Sequence, residues 1–167
     1  NHVQSLYVDK RKTLWVGTDG AGLTKYSDGE FRRFTKDDGF INEEIRVIAE
    51  DRSQRLWIGT FGGGLHYLDG DTIVALDDSA KLLGDSVRTI FFDREDNFWV
   101  GTAIGLNQYL DGPITSFPLE HTNSKRITLG LMEDSKGAVW AGTFGSGLQR
   151  LSGTEFQRVN NLQEELY

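Results

Sequence analysis

Cysteine is absent from these 167 residues, and proline occurs only twice. Without thiols there is no disulfide framework, no thiolate metal site and no cysteine nucleophile. No stretch approaches the ~18 consecutive apolar residues that a membrane span requires, and no charged start followed by an apolar run marks a signal peptide. The chain opens Asn1-His2-Val3 rather than with methionine, so it reads as a processed chain or a piece of a longer one. The missing leader therefore says nothing about compartment. Basic charge is also scarce: 18 Lys and Arg stand against 25 Asp and Glu, net −7, with the acids scattered. Phosphate binding needs a basic surface, so this balance argues against nucleic acid as a partner.

What the chain does have is glycine. Twenty glycines imply a high turn content, which suits many short strands joined by tight connections. A hydrophobic share of 38% with 26% charged residues is ordinary for one soluble domain with a core.

The four tryptophans, Trp15, Trp57, Trp99 and Trp140, recur at intervals of 42, 42 and 41 residues. Around them one phrase repeats: LWVGTDGAGL from 14, LWIGTFGGGL from 56, FWVGTAIGL from 98 and VWAGTFGSGL from 139. Asp9, Asp51, Asp93 and Asp134 each stand six residues before a Trp, and Leu6, Ile48, Ile90 and Leu131 nine before it. In the first copy, turn residues divide the unit into four runs of strand length: Val3 to Val8, Thr13 to Gly17, Gly22 to Tyr26, and Glu30 to Phe34. Strands this close must pair antiparallel. The first run of each unit is apolar on both parities, as at Ile45, Val47, Ile48 and Ala49, which predicts burial on both faces between neighbours.

A four-strand unit of ~40 to 45 residues that buries its faces against copies of itself is the signature of a β-propeller. Solenoid rungs are shorter, and the Leu and Asn spacing of leucine-rich repeats is missing. The expected fold is all-β, with four antiparallel blades at about 1–44, 45–86, 87–127 and 128–167.

One Trp per blade at a fixed strand position fills the gap between blades better than it stacks on a ligand. The recurring aspartates open the turn between the first two strands, where a carboxylate accepts turn amides; no EF-hand spacing points to calcium. Gly20, Gly22, Gly62, Gly63, Gly64, Gly145 and Gly147 read as a turn requiring positive φ, since neither Lys nor a helix start follows as in a phosphate loop. His2, His66 and His121 occupy three different repeat positions, which leaves a histidine metal site or triad unsupported. No catalytic residue, metal or cofactor is implied.

Chemistry should instead appear where the copies differ. After Gly-Thr the variable residue is Asp19, Phe61, Ala103 and Phe144; entering the first strand it is Gln4, Arg46, Arg88 and Leu129, with Arg126 just before the last. In a meander these two connections share one rim. Asp19, Phe61, Phe144, Arg46, Arg88 and Arg126 are therefore the candidate ligand-binding residues, suited to a sugar ring or an acidic group by stacking and bidentate pairing. A propeller enzyme of lyase or glycosidase type would need clustered carboxylates or histidines there, and Asp19 is the single acid. A purely structural scaffold is the third reading.

The phrase L-W-x-G-T-x-G-G-G-L after a fixed Asp, clearest from Glu50-Asp51 to Leu65 and from Glu133-Asp134 to Leu148, resembles the two-component regulator propeller repeat; Ala103-Ile104-Gly105 departs from it by one glycine. The resemblance spans nearly the whole chain. It implies a sensor input domain outside a bacterial inner membrane, joined to a histidine kinase or diguanylate cyclase, and some such domains recognise carbohydrate breakdown products. A small molecule or oligosaccharide is the implied ligand. Members of the family usually carry more than four blades, so two chains closing an eight-bladed ring, or the remainder of a longer propeller, are the expected partners of the end blades; a closed four-bladed ring is the third option.

Overall fold

The computed structural model describes residues 2–76, 82–109, 114–118 and 127–159. Arg126 lies outside them. Sixteen strands among the described residues form four sheets, each of four consecutive antiparallel strands. The first sheet holds β1 (Val3–Val8), β2 (Leu14–Thr18), β3 (Leu23–Ser27) and β4 (Glu30–Phe34). The second holds β5 (Ile45–Glu50), β6 (Leu56–Thr60), β7 (Leu65–Asp69) and β8 (Thr72–Ala75). The third holds β9 (Val87–Phe92), β10 (Phe98–Thr102), β11 (Leu106–Tyr109) and β12 (Ile114–Phe117). The fourth holds β13 (Ile127–Glu133), β14 (Val139–Phe144), β15 (Gly147–Ser152) and β16 (Glu155–Arg158). In the first blade, β2 and β3 begin one residue later than the sequence pattern places them. Thr13 and Gly22 are spent on turns: the Thr13 carbonyl accepts the Asp9 N–H, and the Gly22 carbonyl accepts the Thr18 N–H.

Each gap between blades holds its own apolar core, and each core contains one tryptophan. Trp15 packs with Phe34, Ile45 and Ile58 between blades one and two. Trp57 packs with Val87, Phe98 and Val100 between two and three, and Trp99 with Phe117, Val139 and Phe156 between three and four. Strand β1 packs on β5, β5 on β9 and β9 on β13. The glycine two residues after each Trp lets this stacking happen: a Cβ on Gly17 would meet Ile45 at 2.7 Å, one on Gly59 would meet Val87 at 2.4 Å, and one on Gly101 would meet Thr128 at 2.7 Å. Gly142, the same position in blade four, meets no side chain.

The expectation that every first strand is buried on both faces holds for β5 and β9, whose residues are buried or half-buried, but not for β1. Val3, Leu6 and Val8 are largely exposed because no described blade covers their face, and Met132 is similarly open on β13. No described strand from one end joins the sheet of the other.

The glycine reading needs one correction. Gly62 and Gly64 do have positive φ, but Gly63 between them does not. Gly63 is required by space, since a Cβ there would meet Thr60 Oγ1 at 2.7 Å and Asn42 at 2.8 Å.

Candidate functional site

Every first strand carries an extra residue opposite its neighbour. The pairing skips from Val3 to Ser5, from Ile45 to Val47, from Val87 to Thr89 and from Thr128 to Gly130. The bulged residues are therefore Gln4, Arg46, Arg88 and Leu129, the four variable positions singled out by the repeat. A β-bulge releases one residue from the ladder and re-aims its side chain, which gives each blade one rim position free of blade building.

The facing loop between second and third strands is held by a threonine. The Thr18, Thr60 and Thr102 hydroxyls donate to the carbonyls of Gly22, Gly64 and Gly105 and accept the N–H groups of Ala21, Gly63 and Ile104. The next residue is tied back to the first strand, Asp19 N–H to the His2 carbonyl, Phe61 to Glu44 and Ala103 to Ser86. Loop and bulge thus meet at one rim.

In the middle of the arc this brings three of the expected residues together. The Arg46 guanidinium lies 5.3 Å from the Phe61 ring centroid, and the Arg88 guanidinium, from the next blade, lies 5.1 Å from it. Both distances are within cation–π range. Phe61 is 40% exposed, so the ring remains open to solvent. Arg46 also pairs with the Glu44 carboxylate. Burial, then the like charge of Arg46, holds the Arg88 pKa below its ordinary value.

The remaining candidates do not join this cluster. Asp19 accepts a long hydrogen bond from Gln4 within its own blade at 3.5 Å. Phe144 is exposed and stands opposite Ile127 in blade four. No hydrogen bond, ion pair or ring contact links either to Arg46, Phe61 or Arg88 among the described residues. Glu44 and Ser86 escaped the sequence reading, although both stand two residues before a bulged arginine.

The opposite rim is committed to structure. Asp9, Asp51, Asp93 and Asp134 each accept an indole N–H through Oδ2, at 2.8 to 2.9 Å, and turn amides through Oδ1. A groove of about 420 Å³ between blades three and four includes Asp93, Asn97, Trp99 and Glu133. Its acids are engaged: Asp93 as above, Glu133 by the Arg94 backbone N–H and guanidinium, and Glu95 by a long hydrogen bond from the Asn97 side-chain amide at 3.5 Å. Asp96, in the stretch richest in possible ligands, pairs with Arg52 at 3.3 Å. No three His, Cys, Asp or Glu side chains gather to hold a metal ion among the described residues.

Blades of this kind, with a bulged first strand and a shared Asp–Trp contact, define a β-propeller repeat protein. Residues 1–20, 39–62 and 81–103 match the two component regulator propeller family, so these three segments carry the repeat of that family. No curated protein matches the chain. Among solved structures it is similar to the extracellular domain of a hybrid two component system from B. thetaiotaomicron, with 23% identity and a TM-score of 0.75 over 96% of this chain and 22% of that one. A second extracellular domain of a hybrid two component system from that organism aligns at 21% identity and TM-score 0.60, over 93% of this chain and 27% of that one. Virginiamycin B lyase from Staphylococcus aureus aligns at 14% identity and TM-score 0.73, over 96% and 56%. The chain spans less than a quarter of the first relative and just over half of the lyase. These likenesses establish the propeller fold.

Proposed function

We propose that this chain is the recognition part of an extracytoplasmic input domain of a bacterial two-component or diguanylate cyclase sensor, and that it binds without catalysing a reaction. The family of its repeats and the extracellular sensor domains that share its fold support the setting. The observation that carries the reading is the Arg46–Phe61–Arg88 cluster, in which two blades contribute three side chains that do not build blades. An aromatic face flanked by two guanidinia stacks on a sugar ring or small planar ligand and pairs with its polar groups. A lyase or glycosidase would need a base or paired carboxylates beside the ligand, and among the described residues the one acid paired into the cluster is Glu44, already engaged by Arg46.

The ring is completed by a second copy or by further blades. Either would cover the open apolar faces of β1 and β13.

Thermal unfolding of the protein with a series of neutral and acidic mono- and disaccharides tests the binding claim, because a ligand that binds only the folded state raises the melting temperature. The expected result is a rise in the wild type that disappears in Phe61→Ala. A rise of equal size in both proteins contradicts this placement of the site.

A further inference from the structure

The repeat displays what one part of this rim lacks. Two residues before the bulged arginine stands Glu44 in blade two and Ser86 in blade three. The positions are equivalent in the backbone: the Glu44 carbonyl accepts the N–H of Phe61, and the Ser86 carbonyl accepts that of Ala103, each the first loop residue after Gly-Thr. In blade two the Glu44 carboxylate neutralises Arg46. Blade three has the arginine without the carboxylate. Asp85, the adjacent acid in the sequence, is exposed and forms no ion pair with Arg88 among the described residues.

Several polar atoms are left over at this spot. Nε of Arg88, Nε of Arg46 and Oγ of Ser86 are all buried with no hydrogen-bond partner among the described residues. They share Phe61 as a neighbour, since both guanidinia lie over its ring and Ser86 pairs with it in an antiparallel bridge. Buried donors are normally satisfied, and each exception calls for a reason. Two guanidinia with one carboxylate also leave a positive charge uncompensated in a chain whose net charge is −7.

We infer that the place beside Arg88 and Ser86, filled in blade two by the Glu44 carboxylate, receives the carboxylate of a small acidic ligand such as a uronic acid. Arg88 donates to it from the guanidinium and Ser86 from its hydroxyl, while Phe61 supports the adjoining ring or apolar face. The inference rests on the rim reading proposed above and adds the charge of the ligand and the blade that holds it.

Titrating the 15N-labelled protein with acetate, glucuronate and glucose, while following the Nε–H resonances of Arg46 and Arg88, tests it. Acetate and glucuronate should shift Arg88 saturably, and glucose should leave it unmoved. Ser86→Glu installs in blade three the residue that blade two already carries. It should weaken glucuronate binding by about tenfold or more with the amide spectrum otherwise preserved, and Arg88→Gln should do the same if the first variant fails to fold. If glucose shifts the cluster as strongly as glucuronate, the anion inference falls and the rim reading stands. If glucuronate binds but shifts other residues, or none of the three probes moves this cluster, both fall. Unchanged glucuronate affinity in a folded Ser86→Glu variant also overturns the inference.

Discussion

The Asp93 carboxylate accepts the indole N–H of Trp99 at 2.8 Å, six residues along the chain and across the turn between β9 and β10. The same carboxylate accepts the backbone N–H groups of Glu95 and Asn97. One side chain therefore closes the turn and aims the tryptophan into the gap between blades three and four. Trp99 is 1% exposed, so its indole N–H would have no partner if the carboxylate were removed.

Asp93→Ala is expected to destabilise the chain by about 2–3 kcal/mol, the cost of a buried donor left unpaired together with a turn losing its acceptor. Asp93→Asn keeps one carbonyl oxygen and should cost less. Urea unfolding followed by tryptophan emission measures both.

His66 provides a pH dependence. It is fully buried, and its Nε2 accepts the Ile41 backbone N–H at 3.3 Å, so the native ring is neutral. Burial lowers its pKa from 6.5 to about 4. The unfolded chain therefore binds this proton more readily, and the stability due to neutral His66 is complete above about pH 6.5 and lost as pH falls toward 4. The loss should reach about 3 kcal/mol. Asn107 holds the equivalent loop in blade three by accepting the Leu83 N–H through Oδ1. His66→Asn should accordingly remove this part of the pH dependence in denaturant titrations at pH 7 and pH 4.5.

Two glycines at one repeat position separate packing from backbone effects. A Cβ on Gly101 would meet Thr89 at 2.6 Å and Thr128 at 2.7 Å, whereas one on Gly142 would meet only a backbone oxygen at 3.9 Å. Gly101→Ala should cost about 1–3 kcal/mol by overpacking, and Gly142→Ala in this chain about 0.5 kcal/mol or less. Equal costs in thermal unfolding would mean that a turn or strand preference, rather than contact between blades, dictates the glycine.

Polar contacts staple successive blades near the tryptophan turns. Lys10 donates to the Asp51 carbonyl, Arg52 to the Arg94 carbonyl and Arg94 to the Ser135 carbonyl, while Glu50 and Glu133 accept the N–H groups of Lys10 and Arg94. At the ends of the chain the corresponding residues are Ser135 and Val8, neither of which can play its part. If two copies close a ring, Ser135→Arg combined with Val8→Glu should lower the concentration at which light scattering reports twice the 18.8 kDa of one chain.

Much of this architecture is legible in the chain because blade-building residues must recur. The spacing of Trp, Asp and Gly-Thr fixes the meander, and turn residues mark the strand ends to within a residue in the first blade. The bulge is not visible that way, since it is a one-residue mismatch that exists only once β5 is paired with β6. Its trace is the variability at Arg46 and its equivalents. The Asp–Trp bond was encoded in a constant separation of six, but spacing alone shows neither atom facing the other. Asp19 and Phe144 share a repeat position with Phe61 and yet do not meet it, because an equivalent position in another blade lies elsewhere along the arc.

Recognition is proposed at the Arg46–Phe61–Arg88 rim. Its most direct test is the signalling output of the whole protein in cells when all three residues are changed to Ala. Loss of the response is expected, with tryptophan emission and thermal unfolding close to wild type. A normal response from the folded triple variant would contradict it.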